Sequence, residues 1–363
     1  MRNGNSMKAV RIFEHGGPEV LKYVDAEVPE IGDHDVLVKV RATSISQWDL
    51  RYRSGKLPPT LPGRAPFPLP FQLGRDAAGD IVAVGRAVTR WKPGDRVIQM
   101  SHTACGHCPM CLIGKDNLCM NTAIPGHQIF GGYADYVARA ENAILRLPEQ
   151  IDYRIAAASM WSFTTPLNCA LNRAPVKPGD TLLITGATGG LATACVQLAK
   201  LSGAKVIGST TKIKRADEVR GLGYDVVVDY SDPQTPARII DLTRGLGVDT
   251  VWETVGGTAS LKFSMQCIRP GGTIAYLGAP VSEAGPEVTF HSLGLVHSET
   301  NLLGVRGAGR RMQELCVHLL AEGKIAPVID RAFMLSEASE AHRYLESGRH
   351  IGKVLLIPEH EDH

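Results

Sequence analysis

The sequence has no apolar stretch near the ~20 residues that a bilayer-spanning helix needs. Its apolar runs, such as Ile155–Ala158 and Thr181–Ile184, are far shorter. It also lacks an apolar segment behind its N-terminus, where Met1–Ser6 is polar, so a secretory signal is not expected. These six residues read as an extension before a natural start near Met7. Charge of one sign is missing too. Lys+Arg 39 minus Asp+Glu 37 leaves a formal charge of +2, and the pI is about 8.1. That balance argues against a nucleic-acid partner and against a polybasic membrane-surface protein. There is no internal repeat, and no low-complexity segment beyond the proline-rich stretch Pro58–Pro70, which reads as an extended surface loop. A cytoplasmic location is expected, and in a reducing compartment the eight cysteines read as thiols or metal ligands, not disulfides.

What is present suits a two-domain globular protein. With 363 residues, 44% hydrophobic and 21% charged, the chain can bury a large core without staples. The first third reads as short strands: Lys8–Ile12, Asp35–Ala42, Gly79–Val84 and Asp95–Gln99, each bounded by turn residues. From about Thr181 the pattern becomes strand, glycine turn, helix, strand. Six strands are expected at Thr181–Thr185, Lys205–Ser209, Asp225–Asp229, Thr250–Glu253, Thr273–Leu277 and Asn301–Val305. Helices are expected at Leu191–Leu201 and Lys214–Leu222 between them, and at Gly309–Glu322 and Ser336–Ser347 later, before a last strand Lys353–Ile357. Such alternation implies βαβ units in a parallel sheet covered on both faces. The fold class is therefore α/β, with a mainly-β domain preceding a doubly wound sheet. The expected domains are 7–157, 158–305, and a C-terminal segment 306–363 that returns to the first.

The turn Gly186-Ala187-Thr188-Gly189-Gly190-Leu191 joins the first of the six strands to a helix. Its glycines allow a tight turn and close approach to a pyrophosphate, and the helix N-terminus offers free N–H groups to that anion. An acidic residue at the end of the second strand would accept an NAD ribose hydroxyl. Here Ser209-Thr210-Thr211-Lys212-Ile213-Lys214-Arg215 supplies hydroxyls and positive charge instead, and the first acid is Asp217. This favours NADPH over NADH, although Lys214 and Arg215 could equally be the solvated face of the next helix. Tyr230, Val255 and Gly278, just past the third, fourth and fifth strands, are further candidate cofactor contacts.

Cys105, Cys108, Cys111 and Cys119 stand in a C-x2-C-x2-C-x7-C array within a lobe of about residues 101–121. Four thiolates this close can enclose one tetrahedral Zn²⁺ and leave no open position, which makes such an ion structural. His102 and His107 then read as surface histidines. Cys169, Cys195, Cys267 and Cys316 lie in apolar helical segments and read as core residues.

The combination resembles the medium-chain dehydrogenase/reductase superfamily, the group of zinc alcohol dehydrogenases and quinone oxidoreductases. The resemblance runs from Met7 over nearly the whole chain. It includes Gly74-Arg75-Asp76-Ala77-Ala78-Gly79, Trp91-Lys92-Pro93-Gly94-Asp95-Arg96-Val97, the cysteine lobe, the glycine turn, Arg269-Pro270-Gly271-Gly272 and Ser347–Lys353. It implies a GroES-like substrate domain, a Rossmann cofactor domain and a substrate cleft between them. It implies a homodimer or homotetramer, and contacts to the cofactor from Thr165, Val305, Arg306 and Lys353. The last two could equally be surface charges.

In zinc-dependent members a catalytic zinc takes three ligands whose places here hold Ser46, Arg75 and Trp161. None is a credible ligand, and the fixed charge of Arg75 would repel a cation. The proton-relay hydroxyl and the histidine before it correspond to Trp48 and Gln47. The expected protein thus keeps one structural zinc, has no catalytic zinc, and reduces an activated C=C or carbonyl, such as an enone or quinone. Ser46, Gln47 and Thr165 could donate hydrogen bonds to the acceptor oxygen. Trp48 and Trp161 could form a flat apolar wall or simply fill core. Asp49 and Arg75 could pair in the vacated metal site, as a plain structural bridge or as a replacement for the metal's charge. Two other readings stay open: an alcohol dehydrogenase taking metal through His102, His127 or Asp76, and a non-catalytic NADPH-binding sensor.

Overall fold

A computed structural model describes residues 6–56, 67–278, 288–289 and 291–359. The chain forms two compact units, Met1–Thr164 with Gly307–His363, and Thr165–Arg306. The first division falls inside the helix Tyr153–Asn168, seven residues beyond the 157/158 boundary read from the sequence. Proline 166 within that helix removes an amide donor and does not end it. Residues 58–66 of the proline-rich loop lie outside the described residues; beyond them the chain enters a short strand, Phe71–Gln72.

The first unit is mainly β. Its seven-stranded sheet is built around Asp35–Ile45, which pairs antiparallel with Asp76–Val84, Tyr136–Ala140 and the C-terminal strand Lys353–Ile357. Alternation in Asp35–Ile45 sends Val36, Val38 and Val40 into a core with Ile81, Val97, Val137 and Ile144. Full burial of each such side chain contributes about 1.5–3 kcal/mol. A side chain at residue 79 would bring its Cβ within 1.9 Å of the Lys39 carbonyl oxygen, so only Gly79 lets the two strands meet there. The register also sets Asp76 opposite Ser44 and Val354 opposite Ile45, which gathers Asp76, Ser44 and Lys353 at one end of the sheet.

The second unit is a six-stranded parallel sheet with helices on both faces. Its strands are β1 (Thr181–Ile184), β2 (Lys205–Thr210), β3 (Val226–Asp229), β4 (Val248–Glu253), β5 (Ile268–Tyr276) and β6 (Asn301–Gly304), in the order β3-β2-β1-β4-β5-β6. Every pairing is parallel. The near-continuous apolar strands are explained by two buried faces. Leu182, Ile184, Val206 and Trp252 pack against Ala192, Cys195 and Val196 of the helix α1 (Gly190–Leu201). Leu183, Ile207, Val251 and Ile274 pack against Ile239, Leu261 and Phe263 on the other side. The order reverses between β1 and β4, so the ligand crevice of this sheet lies beyond their carboxyl ends.

The doubly wound sheet and the mainly-β unit are those expected. One helix differs: in place of Lys214–Leu222 there is a 3-10 turn, Ile213–Arg215, and a short helix, Ala216–Arg220, that stops before Gly221 and Gly223. Strand β5 begins five residues earlier than expected, through a register shift that accommodates Arg269-Pro270-Gly271-Gly272. The cysteines Cys169, Cys195, Cys267 and Cys316 are all fully buried, as core residues. Among the described residues no helix is long and apolar enough to cross a membrane.

Candidate functional site

The four-cysteine lobe has the geometry of a closed metal shell. The Sγ atoms of Cys105, Cys108, Cys111 and Cys119 all lie within 4.8 Å of one another. Three of the separations are 3.5, 3.9 and 4.0 Å. Zn–S bonds of ~2.3 Å in a tetrahedron place sulfurs about 3.8 Å apart, so the cluster fits Zn²⁺ with little rearrangement. The backbone amides of Cys105 and Asn121 donate to Cys119 Sγ. Amide donors from His107 and Cys108 lower the Cys105 thiol to about 6, whereas burial pushes the neighbouring Cys111 thiol up to about 12. Among the described residues no other group of three or more His, Cys, Asp or Glu side chains converges in this way. His107 is exposed, as expected, but His102 is not: it is buried, with its ring stacked 5.0 Å from that of Trp161. Its Nδ1 also lies 3.3 Å from Ser101 Oγ.

The glycine turn also has the expected form. Gly189 caps α1 with no side-chain bond, which leaves the first-turn amides of Gly190 and Leu191 free toward the crevice. Gly186 adopts φ +65°, and a Cβ there would come within 2.8 Å of Val255 Cγ2. The turn is therefore shaped for a bare backbone beside Val255. Ala187 and Thr188 are buried beneath it, with the Ala187 amide bonded to Ser209 O. At the end of β2 the Ser209 hydroxyl is buried without a partner, and Thr210 Oγ1 accepts from the Lys212 amide. Thr211 and Lys214 are exposed, whereas Arg215 lies 2.7 Å from Glu218. Tyr230 packs edge-on against Phe263, Val255 is exposed, and Gly278 follows β5. Val305 joins the apolar cluster beside α1, while Arg306 is exposed. Thr165 is buried on the helix Tyr153–Asn168.

Lys353 is not exposed. Its ammonium is buried in the first unit, where Nζ donates to Ile45 O at 3.0 Å and lies 3.9 Å from Asp76 Oδ2. Asp76 also accepts from Ser44 Oγ at 2.7 Å and from the Trp161 amide at 3.1 Å. Burial raises the Asp76 carboxyl to about 6 despite these donors.

Ser46, Gln47, Trp48 and Asp49 open the helix Gln47–Arg53. Ser46 is its N-cap and forms a capping box with Asp49. The Asp49 carboxylate accepts from Ser46 N and Oγ at 2.7 and 2.6 Å and from Gly74 N at 2.9 Å. The expected Asp49–Arg75 ion pair is therefore absent: Asp49 already satisfies the helix end, and among the described residues no carboxylate lies within 4.0 Å of the Arg75 guanidinium. Arg75 instead sits among aromatic faces. Its Cζ is 4.4 Å from the Trp161 ring centroid, 5.1 Å from Trp48 and 5.2 Å from Tyr52. Nη2 donates to Tyr52 Oη at 2.9 Å. Gln99 Nε2 holds the Arg75 carbonyl at 2.8 Å, which fixes the backbone from which the side chain projects. Gln47 is exposed on the first turn of its helix, so its amide is free to meet solvent or ligand.

Two of the positions that the sequence groups, Arg75 and Trp161, are thus in contact, with Trp48 beside them. Tyr52 was missed. It stands four residues after Trp48 on one helix face, a spacing at which side chains meet. Burial raises the pKa of its phenol, so it remains protonated.

Residues 32–149 match the family model of the alcohol dehydrogenase GroES-like domain, and residues 222–356 that of the zinc-binding dehydrogenases. A sorbitol dehydrogenase of Halalkalibacterium halodurans is 30% identical, over 97% of this chain and 99% of that protein. A quinone oxidoreductase of Pseudomonas aeruginosa is likewise 30% identical, over 97% and 99%. A solved NAD-dependent alcohol dehydrogenase superposes with a TM-score of 0.88 at 33% identity, covering 97% of this chain and 99% of that one.

Proposed function

The chain belongs to the medium-chain dehydrogenase/reductase superfamily of oxidoreductases, and from that membership we propose that it reduces an activated C=C or carbonyl with NADPH, without a catalytic zinc. One observation carries the reading. Where zinc-dependent relatives would place three metal ligands, this chain has a helix-capping serine, a guanidinium and an indole, and the last two are stacked 4.4 Å apart. No donor set for a Lewis-acidic ion exists in that arrangement, and Arg75 supplies fixed positive charge of its own.

The dinucleotide, when bound, supplies the hydride. The protein's part is to hold and polarise. The free amides at Gly190 and Leu191 take the pyrophosphate, and the Ser209 hydroxyl with Lys214 takes a 2′-phosphate. A conjugated acceptor spreads incoming negative charge onto its oxygen, which hydrogen-bond donors and a nearby cation stabilise. Asp76 is turned toward Ser44 and Lys353 and is not placed as a proton donor, and water is the proposed source of the final proton. The zinc of the cysteine lobe is structural, one per chain.

The test is an oxidation screen of NADPH and NADH against quinones, enones, aldehydes and ketones, with zinc counted on the same sample. NADPH turnover with enones or quinones and about one zinc per chain is expected. Chelator-sensitive alcohol oxidation with NAD⁺ and two zinc ions per chain would overturn the reading.

A further inference from the structure

A guanidinium removed from water ordinarily lies against a carboxylate, because an uncompensated buried charge is strongly unfavourable. Arg75 departs from that pattern. It is 2% exposed, and among the described residues no acid reaches it. The neighbouring acids are already committed, Asp49 to the helix cap and Gly74 N, and Asp76 to Ser44, Trp161 N and Lys353. Its Nε is buried with no hydrogen-bond partner. Tyr52 Oη accepts from Arg75 Nη2, and its own hydroxyl proton has no acceptor among the described residues. Two unused donors therefore stand beside one unneutralised charge, which is the complement of the two oxygens of a carboxylate. The flanking indoles of Trp48 and Trp161 are only half-buried, so the place has flat apolar faces with accessible surface next to a cation that has almost none.

We propose that Arg75 and Tyr52, between Trp48 and Trp161, bind the carboxylate of a flat conjugated acceptor. That the ligand is an acceptor rests on the reductase reading; that it is a planar carboxylate rests on the donors and rings alone. The competing role is structural, with the three aromatic faces alone stabilising the guanidinium.

Calorimetric titration of the full chain with sodium benzoate and with neutral benzamide separates the two. The wild-type protein is expected to bind benzoate about tenfold or more tightly than benzamide, a gap that R75M closes. Y52F, which keeps the ring and the charge but removes one donor, is expected to weaken benzoate by about threefold to tenfold and to leave benzamide unchanged. It serves as the arm that survives if R75M fails to fold. Benzoate bound no better than benzamide, or bound equally by wild type, Y52F and R75M, overturns the proposal. NADPH oxidation with 4-phenylbut-3-en-2-one and with its ring-carboxylated form then tests the link to substrate. A preference for the carboxylated enone, lost in Y52F through KM, supports it, and equal kcat/KM for both enones overturns it. Discrimination of benzoate with no turnover of either enone sinks the reductase reading and leaves the anion site standing.

Discussion

The ammonium of Lys353 lies 3.9 Å from the Asp76 carboxylate, with both side chains buried at the end of one mixed sheet. Burial pushes the Asp76 carboxyl up to about 6 and the Lys353 amine down from its usual value, so neither charge is comfortable alone. Removing one partner strands the other. D76N or K353M is expected to lower stability by about 3–5 kcal/mol each, and the D76N/K353M pair by much less than their sum. Urea unfolding of the four proteins gives the coupling. Simple additivity would show that the two groups do not interact.

The same carboxyl gives a pH signature. Because its folded pKa lies above the unfolded 3.8, the native state holds its proton more tightly, so the protonation-linked part of the Asp76 contribution is largest below about pH 4 and is lost as pH rises through 6, where only its pairing with Lys353 remains. The stability difference between wild type and D76N should therefore shrink between pH 4 and pH 7. A flat difference over this window would place the Asp76 carboxyl in an ordinary solvated state, and a growing one would mean that its pairing with Lys353 outweighs its burial.

The cysteine lobe should depend on its metal. Its helix is one turn, Pro109–Leu112, and it exposes Leu112, Ile113 and Met120, so apolar burial contributes little to its folding. The metal bonds carry that load instead. C111S is expected to reduce zinc from about one per chain to near zero and to expose the lobe to protease. R75M should keep its zinc in full. Zinc retained by C111S and lost by R75M would reverse the assignment of the ion.

What the sequence disclosed depended on how far apart the cooperating residues are in it. The glycine turn and the four cysteines are local patterns, and the structure places them as their spacing implies. The six parallel strands were legible for the same reason, since each apolar run with its turn residues is self-contained. The surroundings of Arg75 were not. Trp48, Arg75 and Trp161 come from well-separated stretches, and no periodicity announces that they meet. The Asp49–Arg75 pair failed for a reason that was in the sequence: Ser46-x-x-Asp49 is a capping-box spacing, and a helix end competed successfully for the carboxylate. Lys353 and His102 misled because residue type alone suggests exposure, whereas the register beside Ile45 and the ring of Trp161 bury them.

Cofactor preference should turn on the end of β2. The Ser209 hydroxyl is buried and unpartnered, Lys214 is exposed, and Arg215 is held in an exposed pair with Glu218 that contributes at most about 1 kcal/mol. Placing an acid there would repel a 2′-phosphate and favour a free ribose hydroxyl. S209D is expected to weaken NADPH by about tenfold or more relative to NADH, and K214E by less, since its charge is more screened. Binding titrations with both dinucleotides decide it. An unchanged ratio in S209D would remove Ser209 from the cofactor site.

Ser46 distinguishes two roles by which quantity moves. From the sequence it is a candidate donor to the acceptor oxygen; in the structure its hydroxyl donates to Asp49 Oδ2 at 2.6 Å and accepts from the Asp49 amide at 3.3 Å. A hydroxyl engaged twice at a helix end has no proton left for a ligand. S46A should therefore cost about 1 kcal/mol of stability, the usual worth of an N-cap, and change KM and kcat only through any disorder it admits to Trp48. S46G, which retains cap geometry with smaller loss, should recover most of that stability and all of the activity. Loss of kcat in both variants at unchanged stability would return Ser46 to the substrate and leave the helix to be capped by Asp49 alone.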